Sequence, residues 1–448
     1  MKIYNSLTKH EESFTPIEPG KVSMYTCGPT VYNFAHIGNF RAYITADILR
    51  RTLESQGYVV NHVMNITDVD DKTIRDSQIS GETLTQFTTR YTTFFFEDLA
   101  QLNILPATTY PRATDNIEQM VSMIEVLIQK GHAYAGEDGS VYFNIRSDAD
   151  YGKLSGAAID EEVTQSRVSQ DEYTKDNVQD FALWKAWDQS DGDVFWETSL
   201  GKGRPGWHIE CSAMSMRYLG RHFDIHTGGI DLLFPHHENE IAQTESATDE
   251  KFVNYWVHNE FVQVEGKKMS KSLGNFFMLQ DIIDRGYDPM TYRYIALQTH
   301  YRKPFNFTWD SLEAGSIAYS KLIAFVRSLP KATEPICREF QAQFMTAMED
   351  DLNTAQALAT LWECVKSDRS PEKKAATLLL FDKVLGLGLD KFFDTQEEIP
   401  GEILDLVTAR ETARTEKNWT KSDEIRAKIE ERGFELQDTP EGARVVKK

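Results

Sequence analysis

The stretch from Thr26 to Asn39, Thr-Cys-Gly-Pro-Thr-Val-Tyr-Asn-Phe-Ala-His-Ile-Gly-Asn, constrains the fold most, because of what flanks it. Before it, Lys21 to Thr26 alternates apolar Val22 and Met24 with polar Lys21 and Ser23, the two-residue period of a strand. After it, Ile44, Ile48 and Leu49 recur at helical spacing until Gly57, and Tyr58 to Ile66 reads as a second strand. Strand, turn, helix and strand compose a βαβ unit. Its crossover should be right-handed, and a ligand should sit at the carboxyl ends of the strands, near the helix start. Thr26 to Asn39 occupies that place. Within it Cys27 is a possible metal ligand, Gly38 lets a nucleotide approach the backbone, and His36 can bond a phosphate oxygen near a helix N-terminus. A lone His-x-Gly also suits an ordinary packed or solvated histidine, so the phosphate reading depends on a second motif.

The 448 residues, 41% of them hydrophobic, can bury several cores, and the length suggests about three domains. Met1 to Leu7 contains no basic and apolar leader, and no apolar run approaches the roughly 18 residues of a membrane span, so a cytoplasmic protein without membrane contact is expected. Four cysteines (Cys27, Cys211, Cys337 and Cys364) are too few and too scattered for a disulfide framework. Reduced thiols and metal ligands fit better. A net charge of −21 argues against a polycationic coat for nucleic acid, so any such contact must be local.

Along the chain, Asn65-Ile-Thr-Asp-Val-Asp-Asp-Lys72 places an acidic cluster at a strand end, either a solvated loop or part of the pocket. Arg90 to Leu102 is helical, with Tyr91, Phe94, Phe95 and Leu99 on one face that reads as core. From there to about Asp193 the chain reads as an insertion. It contains a helix from Asn116 to Lys130, a hairpin at Gly139 to Asn144 and an acidic loop around Asp160. Gly201 to Cys211 and Phe223 to Gly229 should resume short strands ending in glycine turns, and the turn at Gly228 and Gly229 should hold ligand. In Phe234-Pro-His-His-Glu-Asn-Glu240, His236 and Glu240 lie four apart on one helix face, with His237 a competing ligand. With Cys27 and Cys211 expected at strand ends, the set is two thiolates, an imidazole and a carboxylate, which suits zinc better than calcium or magnesium. Gly266-Lys-Lys-Met-Ser-Lys-Ser-Leu-Gly-Asn275 is a basic loop, glycine at both ends, that could close over polyanionic phosphate. Beyond Trp309 the chain reads as helices at Ser320 to Leu329, Phe340 to Met348, Thr354 to Lys366 and Lys374 to Leu385, most simply a bundle.

The two phosphate-suited stretches, about 230 residues apart, resemble the HIGH and KMSKS signatures of the class I aminoacyl-tRNA synthetases, as His36-Ile-Gly-Asn39 and Lys268-Met-Ser-Lys-Ser272. Within that class the Cys27 turn, Asn65 to Lys72, Gly-Trp-His-Ile-Glu-Cys-Ser-Ala-Met and Phe-Pro-His-His-Glu-Asn-Glu resemble the cysteinyl-tRNA synthetase family, essentially from end to end. Asn39 in the place of the final histidine is usual there.

The resemblance implies a Rossmann-like parallel-sheet catalytic domain in two halves (residues 1–105 and 196–245) around a connective insertion (106–195). A stem-contact region (246–315), a helical bundle (316–390) and a small anticodon-binding module (391–448) follow. It implies ATP-dependent activation of L-cysteine to cysteinyl-adenylate and transfer to tRNA(Cys), with Mg2+ carried by ATP and one zinc ion held by Cys27, Cys211, His236 and Glu240. His36, Asn39, Lys268 and Lys271 would be catalytic; His36, Gly38, Gly228, Gly229 and Lys271 would bind ATP; Thr67, Trp207 and His226 would line the amino-acid pocket. A monomer is expected. Residues 401 to 448 carry 10 Lys and Arg against 11 Asp and Glu, so RNA contact there needs a local stripe. Arg410, Arg414, Lys417 and Lys421 would form one if a helix ran through all four. Val445 stands where the family often has tryptophan. Two rivals are a ligase joining cysteine to an amino sugar through the same adenylate, whose members look shorter and lack residues 400 to 448, and a zinc-stabilised RNA-binding protein, which would have no use for the Lys-Met-Ser-Lys-Ser loop.

Overall fold

The computed structural model describes residues 1–157, 167–168, 179–269, 274–393, 400–439 and 442–447. The acidic loop around Asp160 and the residues Ser270, Lys271 and Ser272 lie outside them. The chain divides into two compact units, residues 1–393 and 394–448.

In the first unit a four-stranded parallel sheet runs in the order Val253–Asn259, Phe223–Gly229, Lys21–Thr26, Val59–Met64. Both faces are covered. Met24, Met64, Ile225 and Val257 face the core under the Ile37–Ser55 helix, while Tyr25, Val63 and Trp256 share a second core with Ile209, Met214 and Ile241 of the Trp207–Leu219 and Glu238–Thr248 helices. This is why the strands carry apolar residues on both sides, as parallel strands must. The chain leaves the Lys21–Thr26 strand toward one edge and later returns on its other side. The topological switch point therefore lies between that strand and Phe223–Gly229, and a crevice opens there at the carboxyl ends.

The insertion is a mainly antiparallel sheet ordered Ala133–Ala135, Val141–Phe143, Asp180–Ala186, Gly201–Pro205, Trp196–Thr198, with Arg167–Val168 pairing parallel to Asp180–Ala186 off that path. This corrects one expectation: Gly201–Pro205 belongs to the insertion, where it pairs with Asp180–Ala186, and only Phe223–Gly229 rejoins the parallel sheet. Glycine in the former strand reflects crowding, since a Cβ at Gly203 would collide with the Lys185 carbonyl. Cys211 accordingly sits in the Trp207–Leu219 helix, not at a strand end. The acidic cluster at Asp68 to Asp71 is structural. Buried Asp68 accepts from Thr114, Asp70 caps the Asp71–Ser80 helix, and Asp71 pairs with Lys185 and Arg204.

The bundle comprises Trp309–Ser328, Arg338–Glu349, Thr354–Lys366 and Pro371–Leu385, the first beginning a full three turns before the expected Ser320 because Thr308 caps it. A buried charge network joins this bundle to the Ile37–Ser55 helix. Asp47 accepts from Arg293 at 2.5 Å and from Arg51 at 2.8 Å. Arg293 also bonds the Leu385 and Leu102 carbonyls, and Arg51 bonds those of Lys383 and Asn103. The residual carbonyls of a helix end are thus capped by side chains from two other elements.

The second unit has its own small core of Ile403, Val407, Ile425, Ile429, Phe434, Leu436 and Val445. Its helices are Gly401–Thr415 and Trp419–Glu431, with a hairpin of Phe434–Thr439 and Gly442–Lys447. The expected basic stripe does not form. The first helix ends at Thr415, Lys417 takes a left-handed φ of 59°, and Arg410 is buried. Val445 faces Leu436 in the hairpin and is 8% exposed, so it serves packing.

Burial alone would raise the Asp47 carboxyl, but the Arg293 and Arg51 charges more than offset this and hold it below the ordinary carboxylate value. A depressed folded-state value gives stability that is complete above the unfolded pKa of roughly 3.9 and is lost as pH falls through the folded one. Asp47→Asn, which strands two buried guanidinium charges, should lower unfolding free energy by about 3–5 kcal/mol. Urea titration followed by tryptophan fluorescence measures this, and a loss below about 1 kcal/mol would mean that the carbonyls alone satisfy both arginines.

Candidate active site

The Lys21–Thr26 strand ends in a turn pinned from two sides. Cys27 N–H bonds the Thr227 carbonyl, Gly28 N–H bonds Asn65 Oδ1 at 2.8 Å, Val31 N–H bonds the Thr67 carbonyl, and Thr67 N–H bonds the Pro29 carbonyl. A Cβ at Gly28 would strike the Asn65 carbonyl, so only glycine fits. The turn delivers His36 as N-cap of the Ile37–Ser55 helix. Its Nδ1 accepts from Asn39 N–H at 3.2 Å, while Asn39 Oδ1 accepts from His36 N–H at 3.1 Å, a reciprocal box. In a neutral ring this places the proton on Nε2, making that edge a donor. Asn39 thus orients His36 as well as capping the helix.

The two distant signatures meet here. Ile37 N–H bonds the Phe277 carbonyl, His36 bridges to Met278, the Phe276 ring stands edge-on to His36 at 4.7 Å, and Met269 Cε comes within 3.0 Å of where a Gly38 Cβ would lie. Lys268 is exposed on the Lys267–Lys268 strand, its carbonyl accepting from Asn275. Lys271 lies outside the described residues.

At the switch point Cys27, Cys211, His236 and Glu240 converge, their ligand atoms all within 4.8 Å of one another and every side chain buried. Cys27 and Cys211 Sγ are 3.9 Å apart, close to the roughly 3.8 Å that two Zn–S bonds of about 2.3 Å at a tetrahedral angle would give. His236 Nε2 is 3.1 Å from Glu240 Oε1. A second set, Cys27, His226, His237 and Glu240, overlaps the first, with His237 Nε2 3.3 Å from Cys27 Sγ. The pocket could hold a metal such as zinc. Burial first, then the neighbouring Cys211 and Glu240, push the Cys27 thiol well above its ordinary value, and burial likewise raises Cys211, so both thiols hold their protons until a cation displaces them. Burial holds His236 down at about 3, so the imidazole is neutral and already in its ligating form.

Trp207 opens its helix and stacks on His236 at 4.2 Å, half-exposed above the pocket. Thr67 donates to Glu210 at 2.9 Å. His226 is fully buried; its Nε2 lies 2.9 Å from Glu240 Oε2 and its ring stacks on Trp256 at 4.6 Å. Gly228 leaves room for the His237 ring, where a Cβ would intrude. Gly229 ends the strand beside it.

Behind these residues lies a layer the sequence did not suggest. His208 Nδ1 is 2.9 Å from His236 Nδ1, His237 Nδ1 is 2.8 Å from His258 Nε2, and His258 Nδ1 is 2.8 Å from Ser6 Oγ. These contacts fix ring orientation at the ligands, as outer partners of metal histidines do. The only available signal was histidine within otherwise apolar strands and helices.

Comparison with known proteins agrees with this geometry. Residues 13–316 match the family described as tRNA synthetases class I (C) catalytic domain, and residues 343–390 match the DALR domain. A cysteine–tRNA ligase of Brachyspira hyodysenteriae is 45% identical over 99% of both chains, and that of Protochlamydia amoebophila is 44% identical over 100% of this chain and 98% of its own. Among solved structures, Mycobacterium tuberculosis methionyl-tRNA synthetase in complex with methionyl-adenylate superposes with a TM-score of 0.57 at 14% identity, covering 86% of this chain and 94% of that one. The Agrobacterium radiobacter LeuRS–tRNA–LeuAMS complex gives 0.59 at 13%, covering 85% of each. These two likenesses concern the fold alone. Converging signatures, a buried thiol-rich pocket and full-length identity place the chain in the cysteine–tRNA ligase family of class I aminoacyl-tRNA synthetases.

Proposed function

We propose that this chain activates L-cysteine with ATP and transfers it to tRNA(Cys). The supporting observation is the meeting of the His36 turn with the segment of Lys268 and Met269, beside a pocket of two thiols, an imidazole and a carboxylate. In the first step a cysteine carboxylate oxygen bonds the α-phosphorus as the bond to the bridging oxygen breaks, releasing pyrophosphate. In the second a ribose hydroxyl of the tRNA end takes the cysteinyl group and AMP leaves. The protein's part is positioning and neutralisation of phosphoryl charge. His36 donates through Nε2, Asn39 holds that tautomer, and Gly38, Gly228 and Gly229 keep the crevice open. Lys268 and Lys271 close on the triphosphate, which arrives with Mg2+. Thr67 and Trp207 frame the amino acid, and His226 steadies Glu240.

Zinc is the metal we assign to Cys27, Cys211, His236 and Glu240; when bound, it supplies a soft site that takes a thiolate and leaves an alcohol unrewarded. Selectivity against serine needs this, because shape alone separates substrates that differ by a methylene by only roughly 1–3 kcal/mol. Cysteine-dependent pyrophosphate–ATP exchange, followed by charging of tRNA, tests the assignment. Exchange without charging would favour the amino-sugar ligase. Absence of both would favour an RNA-binding protein.

Cys211→Ser should raise KM for cysteine far more than for ATP and shrink the cysteine-over-serine ratio. In cobalt-substituted protein, added cysteine should give a new thiolate-to-cobalt band and serine none; an unchanged spectrum would make the metal purely structural. Lys271→Ala should slow single-turnover adenylate formation by roughly 100- to 1000-fold, the scale of one lost charge-stabilising donor, and leave stability alone. His36→Ala should combine a similar rate loss with about 1 kcal/mol of destabilisation from the lost cap. Equal stability of the two variants in urea would remove the capping role. Deleting residues 394–448, which hold a separate core, should preserve exchange and raise the tRNA concentration needed for charging. Undiminished charging by the shortened protein would contradict this division.

A further inference from the structure

The aromatic face of the Leu84–Gln101 helix divides in the folded chain. Phe87, Phe95 and Leu99 are buried, whereas Tyr91 and Phe94 are half-exposed and pack against Phe34 from the active-site turn. Phe34 stacks on Phe94 at 4.8 Å with the planes 29° apart, and stands edge-on to Tyr91 at 5.4 Å. It remains 38% exposed. It lies two positions before His36, so their Cα atoms are within roughly 7.6 Å. Cations accompany the rings: the Arg90 guanidinium lies 5.0 Å from the Tyr91 centroid and 5.4 Å from that of Phe87, and Lys72 Nζ lies 5.6 Å from the Tyr32 ring. Arg90 is exposed and also pairs with Glu82.

Aromatic faces interleaved with cations are what unpaired nucleotides bind, because every base has a face to stack and a phosphate to neutralise. On a chain of net charge −21 such a cluster is the local contact that nucleic acid would require. Continuity with the His36 turn selects the part of the RNA. Only its single-stranded acceptor end must reach the place where the adenylate forms.

We infer that Phe34, braced by Phe94 and Tyr91 and flanked by Arg90, is a stacking ledge for an unpaired base of the tRNA 3′ end. This rests on the synthetase reading above. Phe34 guides the end toward the crevice, and Phe94 acts as a positioning residue that holds the Phe34 ring. Neither takes part in adenylate formation.

The test uses the full-length protein and compares Phe34→Ala, Phe34→Tyr and Phe94→Ala. For Phe34→Ala and Phe94→Ala, pyrophosphate exchange should keep its KM for ATP and cysteine, while KM for tRNA in charging rises roughly five-fold or more, the scale of one lost stack. Phe34→Tyr should restore it. An acceptor minihelix with its unpaired 3′ nucleotides should bind both alanine variants more weakly than the wild type. A minihelix trimmed of those nucleotides should bind all four proteins alike. A raised KM for ATP in exchange would make adenine the occupant and overturn the inference, as would an unmoved KM for tRNA or weaker binding of the trimmed minihelix. Absence of cysteine-dependent exchange in the wild type would instead overturn the synthetase reading.

Discussion

One buried carboxylate holds the catalytic unit in register. Asp47 sits mid-way along the Ile37–Ser55 helix and takes charged hydrogen bonds from Arg51 of the same helix and Arg293 of another, all three nearly or fully buried. The arginines spend their remaining donors on carbonyls at Leu385, Lys383, Leu102 and Asn103. A charge pair at this depth contributes little net stability, because desolvation offsets most of its attraction. What it supplies is geometry: the guanidinium groups fit only when bundle, helix and loop are all in place. Since the same helix is capped by His36, the clamp also sets the direction in which its N-terminus points.

The crevice joins two opposed electrostatic demands. At its mouth, the N-terminus of the Ile37–Ser55 helix and the donor edge of its capping His36 suit an anion. At its floor, two thiols and a carboxylate are packed out of water, an arrangement that keeps the thiols protonated until a cation arrives. The histidine layer beneath resolves part of this strain by staying neutral: burial lowers His236 and His258 to about 3. Neutral rings can donate from one nitrogen while ligating from the other, and their chain of contacts through His237 and His258 to Ser6 anchors the floor to the N-terminal strand region.

Much of this was legible in the chain. The alternation at Lys21 to Thr26, the helical recurrence of Ile44, Ile48 and Leu49, and the breaker at Gly57 are local signals, and they mark the βαβ unit that the fold contains. The spacing of His236 and Glu240 likewise depends on local helical geometry. Three readings failed where long-range contacts override local pattern. Gly201–Pro205 looked like a strand of the parallel sheet but pairs with Asp180–Ala186, where Gly203 allows close approach. Arg410 to Lys421 has helical spacing, yet the chain turns at Lys417 and buries Arg410. The aromatic face of the Leu84–Gln101 helix looked like core along its length, but Tyr91, though packed on the core and on Phe87, stays half-exposed, as does Phe94 where it stacks on Phe34.

The sequence by itself determined which chemistry was available, since residue types at helical or strand spacing, and signature stretches that can be matched whole, are properties of the chain read in order. Only the tertiary structure decided which of these groups share a space. Cys27, Cys211 and Glu240 are separated by 184 and 29 residues, and no local period encodes their meeting; it follows from strand order, which places the switch point between Lys21–Thr26 and Phe223–Gly229. The same holds for Asp47 with Arg293 and for Phe34 with Phe94. Such contacts form when separate apolar faces are buried against one another, and burial is a property of the whole fold.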